Sequence, residues 1–311
     1  MARRFRFGMQ LAEAASKSDW IEQARLAERL GYDIVVVPDH VSHQLAPFPA
    51  LVSAAEATDR IRLGTLVIDN DFRHPMLLAQ EAATVDLLTD GRLELGIGAG
   101  WMGQDYRRLG ATFDPPSIRL ARLKEAVEIL GKHFRGEPFS FEGAHYRVTD
   151  AEPKPMPAQR PRPPLLIGGG GLRLLTFAAQ QADIVSVFIR SLRDGSGFDV
   201  SELTATSYLQ TTDHVRKVGS DRESGQEPEL NVLLQYFEVT NDRIATAEEH
   251  ARELEMDPED LLTLPFELIG TIDQIVEDLI HRRERFGISY VTVLDRYLRD
   301  FAPVIERLSG S

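Results

Sequence analysis

The chain has no cysteine among its 311 residues. That excludes disulfides, thiolate nucleophiles and thiolate metal sites, and leaves the redox compartment open. Long apolar runs are also missing. Nothing approaches the ~18 consecutive apolar residues of a membrane span, and the opening Met-Ala-Arg-Arg-Phe-Arg-Phe-Gly has no signal-peptide core. A cytoplasmic protein is the simplest expectation. Positive charge is short: 35 Lys and Arg against 48 Asp and Glu give −13, which argues against nucleic acid or an anionic membrane as partner. The remaining composition, 43% hydrophobic and 27% charged, is that of an ordinary soluble globule with a large core.

What is present is a repeated design. Apolar runs stop abruptly at glycine or polar residues in Val35–His40, Leu63–Asp71, Leu93–Trp101 and Leu165–Gly171. Amphipathic helical patterns separate or follow them, so the runs read as parallel strands covered on both faces. The reading gives strands at Arg6–Leu11, Asp33–Pro38, Ile61–Ile68, near Leu93, at Leu165, Ile184–Phe188, Leu230–Val239 and Tyr290–Leu294. Helices are expected after a Ser18 cap, after Pro49, over Pro75–Leu88, Ser117–Phe134 and Leu172–Ala182, and over Phe301–Leu308. Phe139–Val148 reads as a hairpin and Pro153–Pro164, with six prolines, as an extended loop or linker. Units of ~30 residues repeating in this way predict an α/β fold, a (β/α)8 TIM barrel with insertions. It is expected as one domain over 1–311, with a variable insertion at about 190–230. Chemistry then belongs where the strands end.

Several features there carry chemistry, each with a plainer alternative. Gly98-Ala99-Gly100-Trp101-Met102-Gly103 fits G-x-G-x-x-G, the dinucleotide fingerprint, yet it follows the fourth strand and contains Trp101; the alternative is glycines that let a flat ring lie against backbone. Gly168–Gly171 can present N–H groups to a phosphate, or can simply be a tight strand–helix turn. Asp39-His40 ends the second strand as a proton-handling pair or a structural one. Trp101 is a stacking surface or a rim aromatic. Arg107, Arg108 and Arg190 are phosphate ligands or solvated cations, and Arg190–Gly197 reads as a lid. His43, His74, His145 and His281 have no metal-ligand spacing.

In order along the chain, the Gly-Tyr-Asp…Val-Pro-Asp-His block, Arg60–Thr65, Asp90–Trp101, Pro163–Gly171 and Ile269–Ile275 resemble the bacterial luciferase-like flavin and deazaflavin oxidoreductase superfamily. Asp69–Pro75 resembles its F420-dependent branch. The resemblance implies a barrel holding F420, or alternatively FMN, at its mouth. It implies proton donation or charge stabilisation by His40, with Asp39 near the ring, and a non-prolyl cis peptide at Leu66–Val67 behind the ring. Gly98, Ala99, Gly100 and Trp101 would flank the ring. Gly168, Gly169, Gly170 and Gly171, with Arg190 or Arg173, would face the phosphate. Three departures stand out: Gly103 and Asp105 where relatives carry Glu, Leu66 where Ser or Thr is common, and no lysine between Lys154 and Lys217. The implied activity is hydride transfer between reduced F420 and a small organic substrate (C=C, C=N or C–OH/C=O). The alternatives are an FMNH2/O2 monooxygenase fed by a separate reductase, and a non-catalytic flavin-binding barrel. A homodimer is implied. Gln10, Gln44 and Phe48 are expected in the substrate pocket.

Overall fold

Eight short strands, buried along almost their whole length, close on themselves. They are β1 (Arg6–Gln10), β2 (Ile34–Val37), β3 (Arg62–Thr65), β4 (Leu93–Gly98), β5 (Leu165–Gly169), β6 (Ile184–Val187), β7 (Glu229–Leu233) and β8 (Ile288–Leu294). All neighbours are parallel; β1 pairs β8 from Arg6↔Tyr290 to Gln10↔Leu294, and β3 pairs β4 at Leu63↔Leu93, so no edge remains. This computed structural model describes residues 3–200, 203–222 and 225–311. Met1 and Ala2 of the amino terminus, and residues 201–202 and 223–224 of the expected insertion, lie outside the described residues.

Alternation along the strands assigns the two cores. Val35 and Val37 pack outward with the helices, whereas Ile34 and Val36 point into the barrel with Leu66, Leu166, Ile184, Leu233 and Tyr290. The amino-terminal end is plugged by charge: Arg6 reaches Glu94 at 2.5 Å and Glu229 at 2.7 Å, and Arg62 reaches Glu94. The polar carboxyl mouth is therefore the open end.

The helices in chain order are α1 (Lys17–Arg29), α2 (Pro47–Ala55), α3 (Pro75–Leu88), α4 (Gly103–Leu109), α5 (Pro116–Arg135), α6 (Leu172–Gln181), α7 (Ala205–Ser220), α8 (Arg243–Glu253), α9 (Pro258–Thr263), α10 (Ile272–Phe286) and α11 (Ala302–Leu308). Four boundaries differ from the sequence reading. Ser16, not Ser18, caps α1, because its side chain accepts from the Asp19 N–H. Pro47 takes the first turn of α2, where its missing N–H costs nothing, so that helix starts ahead of Pro49. Pro153–Pro164 is no domain linker: Gln159 within it donates to Asp86 and to the Leu93 carbonyl. The Leu230–Val239 run splits, since Tyr236–Val239 leaves the barrel to pair with Glu267–Gly270. The expected 190–230 insertion contains α7, the regular helix between β6 and β7.

Candidate active site at the carboxyl mouth

Three consecutive strand ends build one wall. β2 runs into Asp39-His40, β4 into Ala99–Gly103, and β3 breaks at a cis peptide, Leu66–Val67, before Ile68–Asp69 rejoins the sheet beside β4. Val67 is half-buried and fills the space over two glycines. A Cβ on Gly98 would fall 2.8 Å from its Cγ2, and one on Gly168 would fall 3.1 Å from its Cγ1. Val67, Phe188 and Leu294 are the partly exposed top of the barrel's inner core, an apolar floor.

His40 stands at the edge of this floor. Its Nδ1 lies 2.7 Å from Oδ2 of Asp105, a buried residue in the first turn of α4. With Nδ1–H donating to the carboxylate, Nε2 is the nitrogen left for a reacting molecule. Arg108 reaches the other Asp105 oxygen at 3.3 Å and donates to the Val41 carbonyl, tying α4 to the His40 loop. The acid supporting His40 is thus Asp105 from another loop, not its sequence neighbour. Asp39 is forked by Arg73, with Nη2 at 3.0 Å, and accepts from the Asp69 N–H at 3.1 Å. It is fixed as a structural partner beside the histidine.

Trp101 meets His40 edge-on at 5.8 Å between ring centroids and stacks on Phe198 at 4.5 Å. Phe198 comes from a hairpin over Arg190–Asp199, closed by the Ser191–Phe198 bridge and a Gly103 N–H donated to the Gly195 carbonyl at 3.1 Å. The Gly-rich stretch read as a lid is therefore a hairpin docked on the Trp101–Gly103 segment. It has no room for side chains at the dock, since a Cβ on Gly195 would lie 2.6 Å from the Trp101 carbonyl.

Behind Gly100 lie Asp69 and Asp71. The Asp71 N–H and the Tyr106 hydroxyl are 2.9 and 3.3 Å from Asp69 Oδ1, Tyr106 donates to Asp71 at 3.0 Å, and Arg122 reaches Asp71 at 2.9 Å. Burial, with Asp71 and Asp39 adding repulsion, pushes the Asp69 carboxyl up to about 7. Gly100, at φ +74°, must be glycine, because a Cβ there would sit 2.4 Å from Asp69 Oδ2. The glycines of the G-x-G-x-x-G match are accounted for inside the chain, and a closed barrel leaves no dinucleotide fold for them to serve.

The Gly168–Gly171 turn divides by role. Gly168, Gly169 and Gly170 face Val67 and Phe188, Leu174, and the Ile189–Arg190 backbone respectively, at 3.2 Å or less, and only at Gly170 is the obstacle backbone. Gly171 has an ordinary backbone, φ −82°, and nothing within 4 Å of a Cβ. It is the N-cap of α6 and offers no side-chain cap, which leaves the first N–H groups of that helix to an outside acceptor. Beside it a cavity of about 420 Å³ is lined by Ser117, Leu120, Ala121, Lys124, Arg173 and Thr176. Lys124 lies over the Phe177 ring, and neither it nor Arg173 has a carboxylate partner. Arg190 is different: its guanidinium is exposed and bonded to Asp199, and only its backbone touches Gly170.

Among the other expected residues, Gln10 and Gln44 each keep a buried side-chain oxygen without a partner, Phe48 is buried on α2 beneath Arg73, Arg107 is exposed, and His74 caps α3. Sequence reasoning missed Lys124 and Phe198. Lys124 sits about two turns along an ordinary amphipathic helix, and Phe198 within a polar segment, so neither carried a local signal.

Known proteins resemble this chain in sequence and in fold. The F420-dependent glucose-6-phosphate dehydrogenase of Microbacterium testaceum is 32% identical over 187 residues, 57% of this chain and 55% of that protein. The chain thus spans about half the length of the curated relatives it matches. Two solved structures match nearly end to end in fold. The coenzyme F420-dependent tetrahydromethanopterin reductase of Methanopyrus kandleri has TM-score 0.78, 18% identity and coverage of 99% and 100%. A monooxygenase from Streptomyces bottropensis has TM-score 0.75, 21% identity and coverage of 97% and 99%. Residues 2–262 match the model of the luciferase-like monooxygenase family, and the chain belongs to that family.

Proposed function

We propose that this protein is an F420-dependent oxidoreductase that moves a hydride between the deazaflavin and a small organic substrate. The observation that carries the reading is the His40–Asp105 pair: a histidine with one nitrogen anchored and the other free beside an apolar floor. Hydride transfer to C=O, C=N or C=C must be matched by one proton, and reversal must remove one. His40 supplies or accepts it, and Asp105 steadies the charged form. Asp39 contributes by fixing the strand-two loop through Arg73.

The residues present fit such a cofactor. Val67 and Phe188 offer a flat apolar surface for a tricyclic ring, with Trp101 at its side and the Gly98–Gly100 backbone beside it. The orphaned Gln10 oxygen faces the mouth with no partner inside the chain. The uncapped start of α6 with Lys124 and Arg173 suits a phosphate, and takes the place of the missing lysines. When bound, the deazaflavin provides the hydride-carrying carbon. Everything else is orientation, proton handling and exclusion of water by the docked hairpin. In this reading the whole of 1–311 acts as one unit, since strands from both ends of the chain close the same barrel.

The names of the curated relatives support F420 over FMN, while the fold alone serves both. Oxygen dependence separates the two: consumption of substrate with F420 under anaerobic conditions supports the proposal, whereas turnover that needs FMN, a reductase and oxygen contradicts it. We further propose a homodimer through α3, where Leu77, Leu87 and Leu88 are each about half exposed. Among the described residues no helix is long and apolar enough to cross a membrane.

A further inference from the structure

Resting on that reading and deepening it, we infer that the substrate is an uncharged molecule with an apolar body and one hydrogen-bonding group, not a phosphorylated sugar. The Microbacterium testaceum relative is named for glucose 6-phosphate, and this inference sets the chain apart from it at the site itself.

A phosphate beside His40 requires a cation that is free to meet it. Five arginines of these loops are committed elsewhere. Arg73 is forked onto Asp39, Arg108 is held by Asp105 and the Val41 carbonyl, and Arg122 bridges Asp71 and Asp114. Arg190 is bonded to Asp199. Arg119 is buried and gives its donors to the Ala99, Gly100 and Asp114 carbonyls. Arg107 and Arg193 are solvent-exposed on α4 and on the hairpin. Among the described residues near the Gly171 turn, Lys124 and Arg173 line a cavity without a carboxylate partner, and the cofactor's phosphate is placed there. The cofactor therefore takes that anion subsite. A chain charge of −13 adds an unfavourable field around a second anion.

The side of the site next to His40 is built for something else. Phe198 stacks on Trp101, which meets His40 edge-on. Leu192 and Val200 are exposed on or beside the same hairpin, as Phe198 itself partly is. An apolar ligand body would cover what these side chains leave exposed. The polar contribution comes from neutral amides: Gln10 and Gln44 each hold an unpartnered buried oxygen, which suits a ligand hydroxyl or N–H and gives nothing to a phosphate.

Calorimetric titration of the F420-loaded protein with 2-propanol, 2-butanol, 2-pentanol and 2-hexanol, and with glucose 6-phosphate, tests this. Affinity is expected to rise about three- to fourfold per added methylene, with glucose 6-phosphate weaker than 2-hexanol. A Phe198→Ser variant is expected to cut that increment to less than half. A series flat in chain length, or glucose 6-phosphate binding more tightly than 2-hexanol, overturns the inference. The same series on cofactor-free protein separates it from the functional reading. Chain-length dependence without F420 binding removes the cofactor assignment and keeps the apolar substrate site, and F420 binding with a flat series does the reverse.

Discussion

At the scale of single residues, the site depends on which acid serves which base. Asp105 accepts from His40 Nδ1, so replacing it by Asn leaves the shape but lets the ring turn or change tautomer. We expect Asp105→Asn to keep F420 affinity within about threefold while kcat falls on the order of 10²-fold, with the pH profile of kcat displaced; an unchanged kcat removes Asp105 from the mechanism. Asp69 has a different consequence. Its folded-state value of about 7 lies above the ~3.9 of an unfolded aspartate. The unfolded chain therefore releases its proton first, and the Asp69 contribution to stability is intact below pH ~4 and lost as pH rises through 7. The groups that face it are Asp39, Asp71 and Tyr106. Asp69→Asn should thus gain on the wild type between pH 4 and 8, by up to about 4 kcal/mol, read as the difference in denaturant midpoints; a gap independent of pH contradicts the assignment.

At the scale of elements, the glycine turn before α6 separates packing from binding. A Cβ on Gly170 would enter the Arg190 backbone at 2.5 Å, whereas Gly171 has open space. Gly170→Ala should lower the melting temperature by several degrees, a loss of ~1–3 kcal/mol. Gly171→Ala should leave melting almost unchanged and weaken F420 binding by tenfold or more, because its methyl occupies the approach to the helix N-terminus. These glycines also mark what was legible in the sequence. Strands such as Val35–Val37 and Leu93–Gly98 announced themselves because both faces are buried, so apolar residues run on without alternation. Pro75–Leu88 could be delimited to the residue because proline and a polar Thr-Asp-Gly turn bracket it. The break in β3 at Leu66–Val67 was legible only through the family resemblance, and the departure of Tyr236–Val239 from the barrel could not be read, since partners distant in sequence decide both. The same holds for the site: Asp39-His40 was visible as a strand end, but its pairing with Asp105 joins two loops 65 residues apart.

At the scale of the whole molecule, closure of the barrel puts the ends of all eight strands on one rim and blocks the other end with the Arg6, Arg62, Glu94 and Glu229 cluster. The mouth is thereby the open end of the barrel, and α3 leaves its leucines on the outside. If those leucines meet a second copy, Leu77→Glu with Leu88→Glu should give a monomer by light scattering with an unchanged far-ultraviolet spectrum; a wild-type monomer contradicts the dimer. The most direct test of the central claim is equilibrium titration of the purified protein with F420 and with FMN, each reduced, followed by fluorescence. The account predicts micromolar binding of F420 and FMN weaker by at least about tenfold, a difference of ~1.4 kcal/mol. Tighter binding of FMN, or binding of neither, would contradict it.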